Sequence, residues 1–169
     1  MDEYQLSPVQ VRVLGALVEK QALTPDTYPM TLNALLAACN QLTSREPVLQ
    51  LSEEALLEAL ESLRAQKLVG ERTPAGSRVF KYEHRLNYEW NIEGARLAAL
   101  AMLMLRGPQT AAEIRTRSGR IFAFDSSEAV EIALLALADK HPPMVQKLAR
   151  LPGARESRWA HLLSGNISL

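Results

Sequence analysis

One recurring pattern constrains this chain more than any other feature. Ser52, Glu54, Ala55, Ala59, Leu60 and Leu63 return 74 positions later as Ser126, Glu128, Ala129, Ala133, Leu134 and Leu137, with Leu56 answered by Val130. Further on the offset becomes 77, and Gly76, Arg78, Tyr82 and His84 answer to Gly153, Arg155, Trp159 and His161. The added residues fit around His141-Pro142-Pro143. A helix register and a G-x-R-x-x-x-[YW]-x-H segment that recur together point to two copies of one unit.

The unit is legible in its first copy. Ser52 is a good N-cap; Leu56, Leu60 and Leu63 share one helical face, and Glu54, Glu58 and Glu61 line the other. LVGER and RVFKYEH then flank Pro74-Ala75-Gly76, which reads as a hairpin. Upstream, Ser7-Pro8 opens a helix that runs to about Gln21, ALTPDTYPM is an extended piece, and TLNALLAACNQ is a second helix. The order is helix, extended piece, helix, helix, strand, wing, strand. In the second copy Asn91 is expected to cap a helix through IEGARLAALAMLMLR, which Gly107-Pro108 ends. GPQT, TAAEIRTRS, SSEAVEIALLALADK and the segments around Pro152-Gly153 then supply the same series. The predicted fold is mainly α with small β-hairpins (α+β): two tandem winged-helix domains, residues 1–88 and 89–169.

TLNALLAACNQ, SREPV, GSRVFKYEHR, MLRGPQT, IRTRS and RWAHLL together resemble the YceH-like family of bacterial proteins. The resemblance covers nearly the whole chain. It implies tandem winged helices, and it brings no established activity, ligand or catalytic residue.

Composition narrows the function classes. Hydrophobic residues make up 47% and charged residues 22%, as in an ordinary globular protein, and the 5% aromatic content predicts a core of Leu, Ala and Val. MDEYQLSP is acidic and lacks an apolar signal region, and the longest apolar run, Leu97 to Leu105, is far shorter than the roughly 20 residues of a membrane span. A cytoplasmic protein is expected. The single cysteine, Cys39, lies in the apolar LLAACN and reads as a buried thiol. With no glycine-rich phosphate loop, no metal-spaced His/Cys/carboxylate cluster and no nucleophile in a catalytic setting, neither an enzyme nor a cofactor or metal is expected.

Binding remains. Lys and Arg total 19 against 19 Asp and Glu, whereas proteins that neutralise DNA phosphates usually carry a basic face. The third helices begin with Ser52-Glu53-Glu54 and Ser126-Ser127-Glu128, and carboxylates at the position that enters the major groove repel phosphate. The best basic cluster is Arg115, Arg117 and Arg120; the wings add Arg78, Lys81, Arg155 and Arg158 as candidate phosphate contacts. Asn33, Asn40, Gln41 and Arg45 form a polar group at the end of the second helix, either bracing that helix end or forming an interaction surface. LAALAMLML is apolar all round and must be covered by the other unit or by a second chain, which admits a homodimer. Two functions follow: a regulator or accessory factor that binds double-stranded DNA through these cations, or a scaffold that docks a protein partner. The placement of the arginines separates them. One basic face spanning both wings supports DNA; arginines interleaved with glutamates support protein.

Overall fold

A computed structural model describes residues 4–165 of the chain; residues 1–3, which open the acidic N-terminus, and residues 166–169 lie outside the described residues. Within it, the local signals act where the sequence puts them. Helix α1 (Pro8–Leu23) starts at a capping box in which Ser7 Oγ accepts from the Gln10 amide and the Gln10 side chain accepts from the Ser7 amide. Strand β1 (Met30–Thr31) leads into α2 (Leu32–Cys39), capped by Thr31, and α3 (Glu53–Ala65) is capped by Ser52. As expected, Leu56, Leu60 and Leu63 of α3 are buried. Strands β2 (Val69–Arg72) and β3 (Lys81–His84) form the hairpin, and β1 adds to β3, giving the order β1-β3-β2. The turn is closed by the Ser77 amide donating to Pro74 O at 2.9 Å, with Gly76 at φ +79°. That left-handed angle is the reason for a glycine there.

A short helix α4 (Leu86–Glu89) joins the halves and was not legible in the sequence. The next helix, α5 (Gly94–Arg106), starts later than expected: Asn91 sits at φ 52° in the connection, and Glu93 occupies the cap position. Asn tolerates the left-handed region better than other side chains, so Asn91 turns the chain instead of capping it. α6 (Ala111–Ser118) opens on a Thr110–Glu113 capping box, α7 (Ser127–Ala138) on Ser126, and β4 (Val145–Lys147) pairs with β5 (Trp159–His161). The segment before α6 pairs with β5 through Gln109 and Trp159, N to O at 3.0 and 2.7 Å, as β1 pairs with β3. The protein is therefore α+β and winged-helix-like: helices with small antiparallel sheets. No helix of the described residues is long and apolar enough to cross a membrane.

The core runs continuously through both halves. Every residue from Leu97 to Leu105 is buried, so the apolar helix read from LAALAMLML is covered within the chain by α1, α6, α7 and β5. A second chain is not needed to cover it. α1 is buried from Val11 to Glu19 and packs on α5 with Gly15 at the contact. A Cβ at Gly15 would lie 3.0 Å from Leu105 Cγ and Cδ2 and 3.2 Å from Met104 Cβ. Tyr82 and Trp159 anchor the two hairpins, at 6% and 2% exposure.

His84 and His161 hold corresponding turns. Nδ1 of His84 accepts from the Leu86 amide at 3.2 Å and Nδ1 of His161 from the Leu163 amide at 3.1 Å, which puts the proton of each neutral ring on Nε2. In His84 that Nε2 meets Gln21 Oε1 at 2.7 Å. Burial lowers both imidazoles to about 4 from 6.5.

Two outcomes follow. Gly15→Ala overpacks the α1–α5 contact at a cost of about 1–3 kcal/mol, which exceeds the helix-propensity gain of at most about 1 kcal/mol, so the urea midpoint falls. Between pH 6.5 and about 4 the unfolded chain binds protons that the folded histidines refuse, so stability is complete above 6.5 and declines as pH falls toward 4. Each histidine contributes a slope of up to about 1.4 kcal/mol per pH unit. Denaturation of His84→Gln and His161→Gln across this range should show a flatter profile; an unchanged slope would remove the histidines as its source.

Candidate functional site

The end of α2 is built from charged groups that lie inside the protein. Its last carbonyls need donors. Arg45 Nε and Nη2 donate to Ala38 O at 3.1 and 2.9 Å, and Arg12 donates from Nη1 to Cys39 O at 2.9 Å and from Nη2 to Pro47 O at 2.5 Å. Arg45 also forks onto Glu19, Nη1 to Oε2 at 3.1 Å and Nη2 to Oε1 at 2.6 Å, with Lys20 Nζ 3.2 Å from the same carboxylate. Burial pushes the Glu19 carboxyl up, but the hydrogen bonds and charge of Arg45, with Lys20, more than offset this and hold it below its ordinary value. Burial raises the neighbouring Cys39 thiol to about 12, so it stays protonated.

Asn40 clamps the Leu51 backbone in both directions, Nδ2 to O at 3.0 Å and Oδ1 from N at 2.7 Å. Gln41 accepts from Lys20 at 2.9 Å and donates to Thr43 O at 2.8 Å. Of the polar group read from the sequence, Asn40, Gln41 and Arg45 are therefore committed within the fold, while Asn33 is exposed on α2. Arg12 and Glu19 escaped the sequence reading. Their signal was present: two charges seven residues apart, hence on one face, inside the otherwise apolar VRVLGALVE.

The candidate cations fall into three settings. Arg115, though exposed, is bent onto the backbone, Nε to Phe124 O at 3.3 Å and Nη2 to Asp125 O at 3.0 Å, where it fixes the loop before α7. Arg117 reaches Gln109 Oε1 at 3.3 Å and Glu113 Oε2 at 3.4 Å, and Arg120 is exposed just beyond α6. Arg117 and Arg120 join Arg106, the last residue of α5, in a cleft of about 190 Å³ whose far wall includes Glu19 and Ser44. Arg106 was not singled out by the sequence, because it reads as a helix-end cation. On the hairpins Arg78 and Arg155 are exposed, Lys81 and Arg158 half-buried. Neighbouring arginines are matched with glutamates: Arg64 with Glu71 at 3.3 Å, Arg72 with Glu83 at 2.8 Å, Arg85 with Glu83 at 4.0 Å. A larger cleft, about 350 Å³, is walled by Val11, Leu49, Leu103 and Met104, and its guanidinium, Arg12, is already committed to backbone carbonyls.

The outward faces of the third helices carry no basic stripe. α3 exposes Glu53, Glu54, Leu57, Glu58 and Glu61, with Arg64 at its far end matched to Glu71. α7 exposes Glu128, Ile132, Leu135 and Asp139, spaced i, i+4, i+7 and i+11 on one face. Ile132 is 70% and Leu135 56% exposed, on a helix whose opposite face supplies Val130, Ala133, Leu134 and Leu137 to the core.

Breaking the Glu19–Arg45 pair from one side strands a buried charge. Glu19→Gln or Arg45→Met should each cost about 3–5 kcal/mol, and the double replacement Glu19→Leu/Arg45→Met less than the sum of the single changes. Chemical denaturation in a double-mutant cycle measures this; additive losses would mean that the two residues act separately.

Residues 6–154 match the model of the family described as "Protein of unknown function, DUF480". The chain is 70% identical to a UPF0502 protein of Chromobacterium violaceum over 165 residues, spanning 98% of this chain and 75% of that protein. It is 53% identical to the UPF0502 protein azo0627 of Azoarcus sp. (strain BH72) over 166 residues, 98% of this chain and 74% of the relative. To a UPF0502 protein of Janthinobacterium sp. (strain Marseille) it is 55% identical over 157 residues, 93% and 68%. These matches agree with the resemblance read from the motifs, and the chain belongs to the DUF480/UPF0502 family of uncharacterised bacterial proteins.

Proposed function

We propose that this chain is a non-enzymatic, cytoplasmic tandem winged-helix protein, divided into residues 1–88 and 89–169, whose second unit docks a protein partner through the outer face of α7. The stripe Glu128, Ile132, Leu135, Asp139 carries this proposal. Two large aliphatic side chains in line on a solvent face gain about 1.5–3 kcal/mol each when fully buried, somewhat less here because each is already partly covered. Their acidic flanks favour a partner with an apolar centre and a basic rim. The same stripe is poorly suited to DNA, because carboxylates face the phosphates and no cation on it compensates them.

Double-stranded DNA is the second candidate partner on one specific ground. The second hairpin carries Lys147, Arg150, Arg155 and Arg158 against Glu156 alone, a local excess that a wing can lay along a phosphate backbone. In either case the role is that of a regulator or accessory factor, including a transcription-associated one, and the chain acts by binding.

Affinity capture from nuclease-treated cell extract, followed by titration of the captured protein in purified form, tests the docking face. Ile132→Glu/Leu135→Glu should weaken that titration by at least about tenfold, a loss of roughly 1.4 kcal/mol, with the thermal midpoint of the variant unchanged. If the wild type retains no partner, or the double variant binds it equally, α7 is not a docking face. Micromolar binding to random duplex that falls steeply with salt and weakens in Arg155→Ala/Arg158→Ala would replace the protein partner with DNA.

A further inference from the structure

We infer that the cleft between Arg106, Arg117 and Arg120 is a binding site for a small free oxyanion of the phosphate class, seated where the two halves of the chain meet. Its walls come from both: Glu19, Leu23 and Ser44 on one side, the ends of α5 and α6 on the other. Three arginines line about 190 Å³ of space, Arg106 and Arg117 near enough to feel each other's charge, and the one carboxylate in the lining, Glu19, is already engaged by Arg45 and Lys20. Arg117 has Glu113 at 3.4 Å, on an exposed side of α6. Arg106 and Arg120 have no carboxylate within the 4.0 Å ion-pair distance among the described residues.

Cations at helix C-termini are ordinary, and Arg106 and Arg117 lie in the last turns of α5 and α6. The magnitudes decide whether that suffices. Each helix end presents roughly half a negative charge, so the two together supply about one. With Glu113 added, about two negative charges face three guanidiniums, and the nearby Arg45 is answered by its partner Glu19. Burial, then Arg117 and Arg45, lower the Arg106 pKa, and Glu19 and Glu46 oppose this only in part. An oxyanion supplies the missing charge and accepts from several guanidinium forks at once, the geometry that arginine offers to phosphate better than any other side chain.

The cavity fits a phosphate group with a small substituent. A duplex backbone presents its phosphates on a convex surface, and so serves as the competing arm of the test. The site is independent of the α7 stripe, so failure of one leaves the other standing.

The experiment is a thermal melt of the full chain with inorganic phosphate or pyrophosphate, against sodium chloride at equal ionic strength. The expected result is a saturable rise of the midpoint with both phosphates and none with chloride, since a ligand of the folded state alone stabilises it as its concentration passes Kd. Arg106→Gln should abolish the response and leave the midpoint without anion equal or higher, because a repelled charge has been removed. Arg120→Gln, at an exposed position that does not hold the fold together, should weaken pyrophosphate by about tenfold in a calorimetric titration. The inference fails if Arg106→Gln lowers the midpoint and keeps the phosphate response, which would make Arg106 a helix-end residue only. It fails equally if chloride matches phosphate, if Arg120→Gln binds pyrophosphate as the wild type does, or if random duplex displaces pyrophosphate from the cleft.

Discussion

The close approach of α1 to α5 is the contact on which the rest of the structure depends. It needs a residue without a side chain at Gly15, because Leu105 and Met104 occupy the space that a Cβ would enter. With the two backbones this close, α1 and α5 are each covered on several sides, and the apolar surface of both halves merges into one core. Either half of the chain alone would bury too little surface to be very stable. Shared burial through α1 and α5 offsets that deficit. It also explains why α5 tolerates no polar residue from Leu97 to Leu105.

A second consequence of that packing is electrostatic. α1 is buried so thoroughly that its two central charges, Arg12 and Glu19, lie inside with it, at 3% exposure each. Neither is idle. Arg12 and Arg45 supply donors to the buried end of α2, and Glu19 supplies the counter-charge that lets Arg45 lie there with its side chain fully buried. Such a network confers little net stability compared with an apolar equivalent, but it penalises any arrangement in which α2 or the loop after it is displaced. The two clefts lie beside this network, one apolar and one cationic, and both are lined from each half.

The third helices, α3 and α7, share a buried register and differ on their outer faces. At the 74-residue offset Glu58 and Glu61 of α3 correspond to Ile132 and Leu135 of α7, so the outer stripe is acidic on α3 and apolar at its centre on α7. The buried faces retained the same pattern, because the core demands it. The outer faces were free to differ, and a difference on a solvent face is where a binding role can enter without cost to the fold.

What the sequence determined by itself is what depends on near neighbours. Ser7, Thr31, Ser52, Thr110 and Ser126 cap helices through atoms three residues away, and Leu56, Leu60 and Leu63 follow a helical period that any burial would use. The hairpin turns were legible for the same reason. Asn91 was misjudged because capping and a left-handed turn use the same residue type, and the path of the chain through α4 chose between them. The tertiary structure alone decided which charges face which. Arg45, Asn40 and Gln41 read as a possible surface and became internal braces once α1 brought Arg12, Glu19 and Lys20 alongside them. Arg115 and Arg117 are two residues apart on a short helix, yet one fixes a loop and the other joins Arg106 and Arg120 at a cleft. Coulomb interactions act through space and not along the chain, so a linear list of cations cannot say where their field converges.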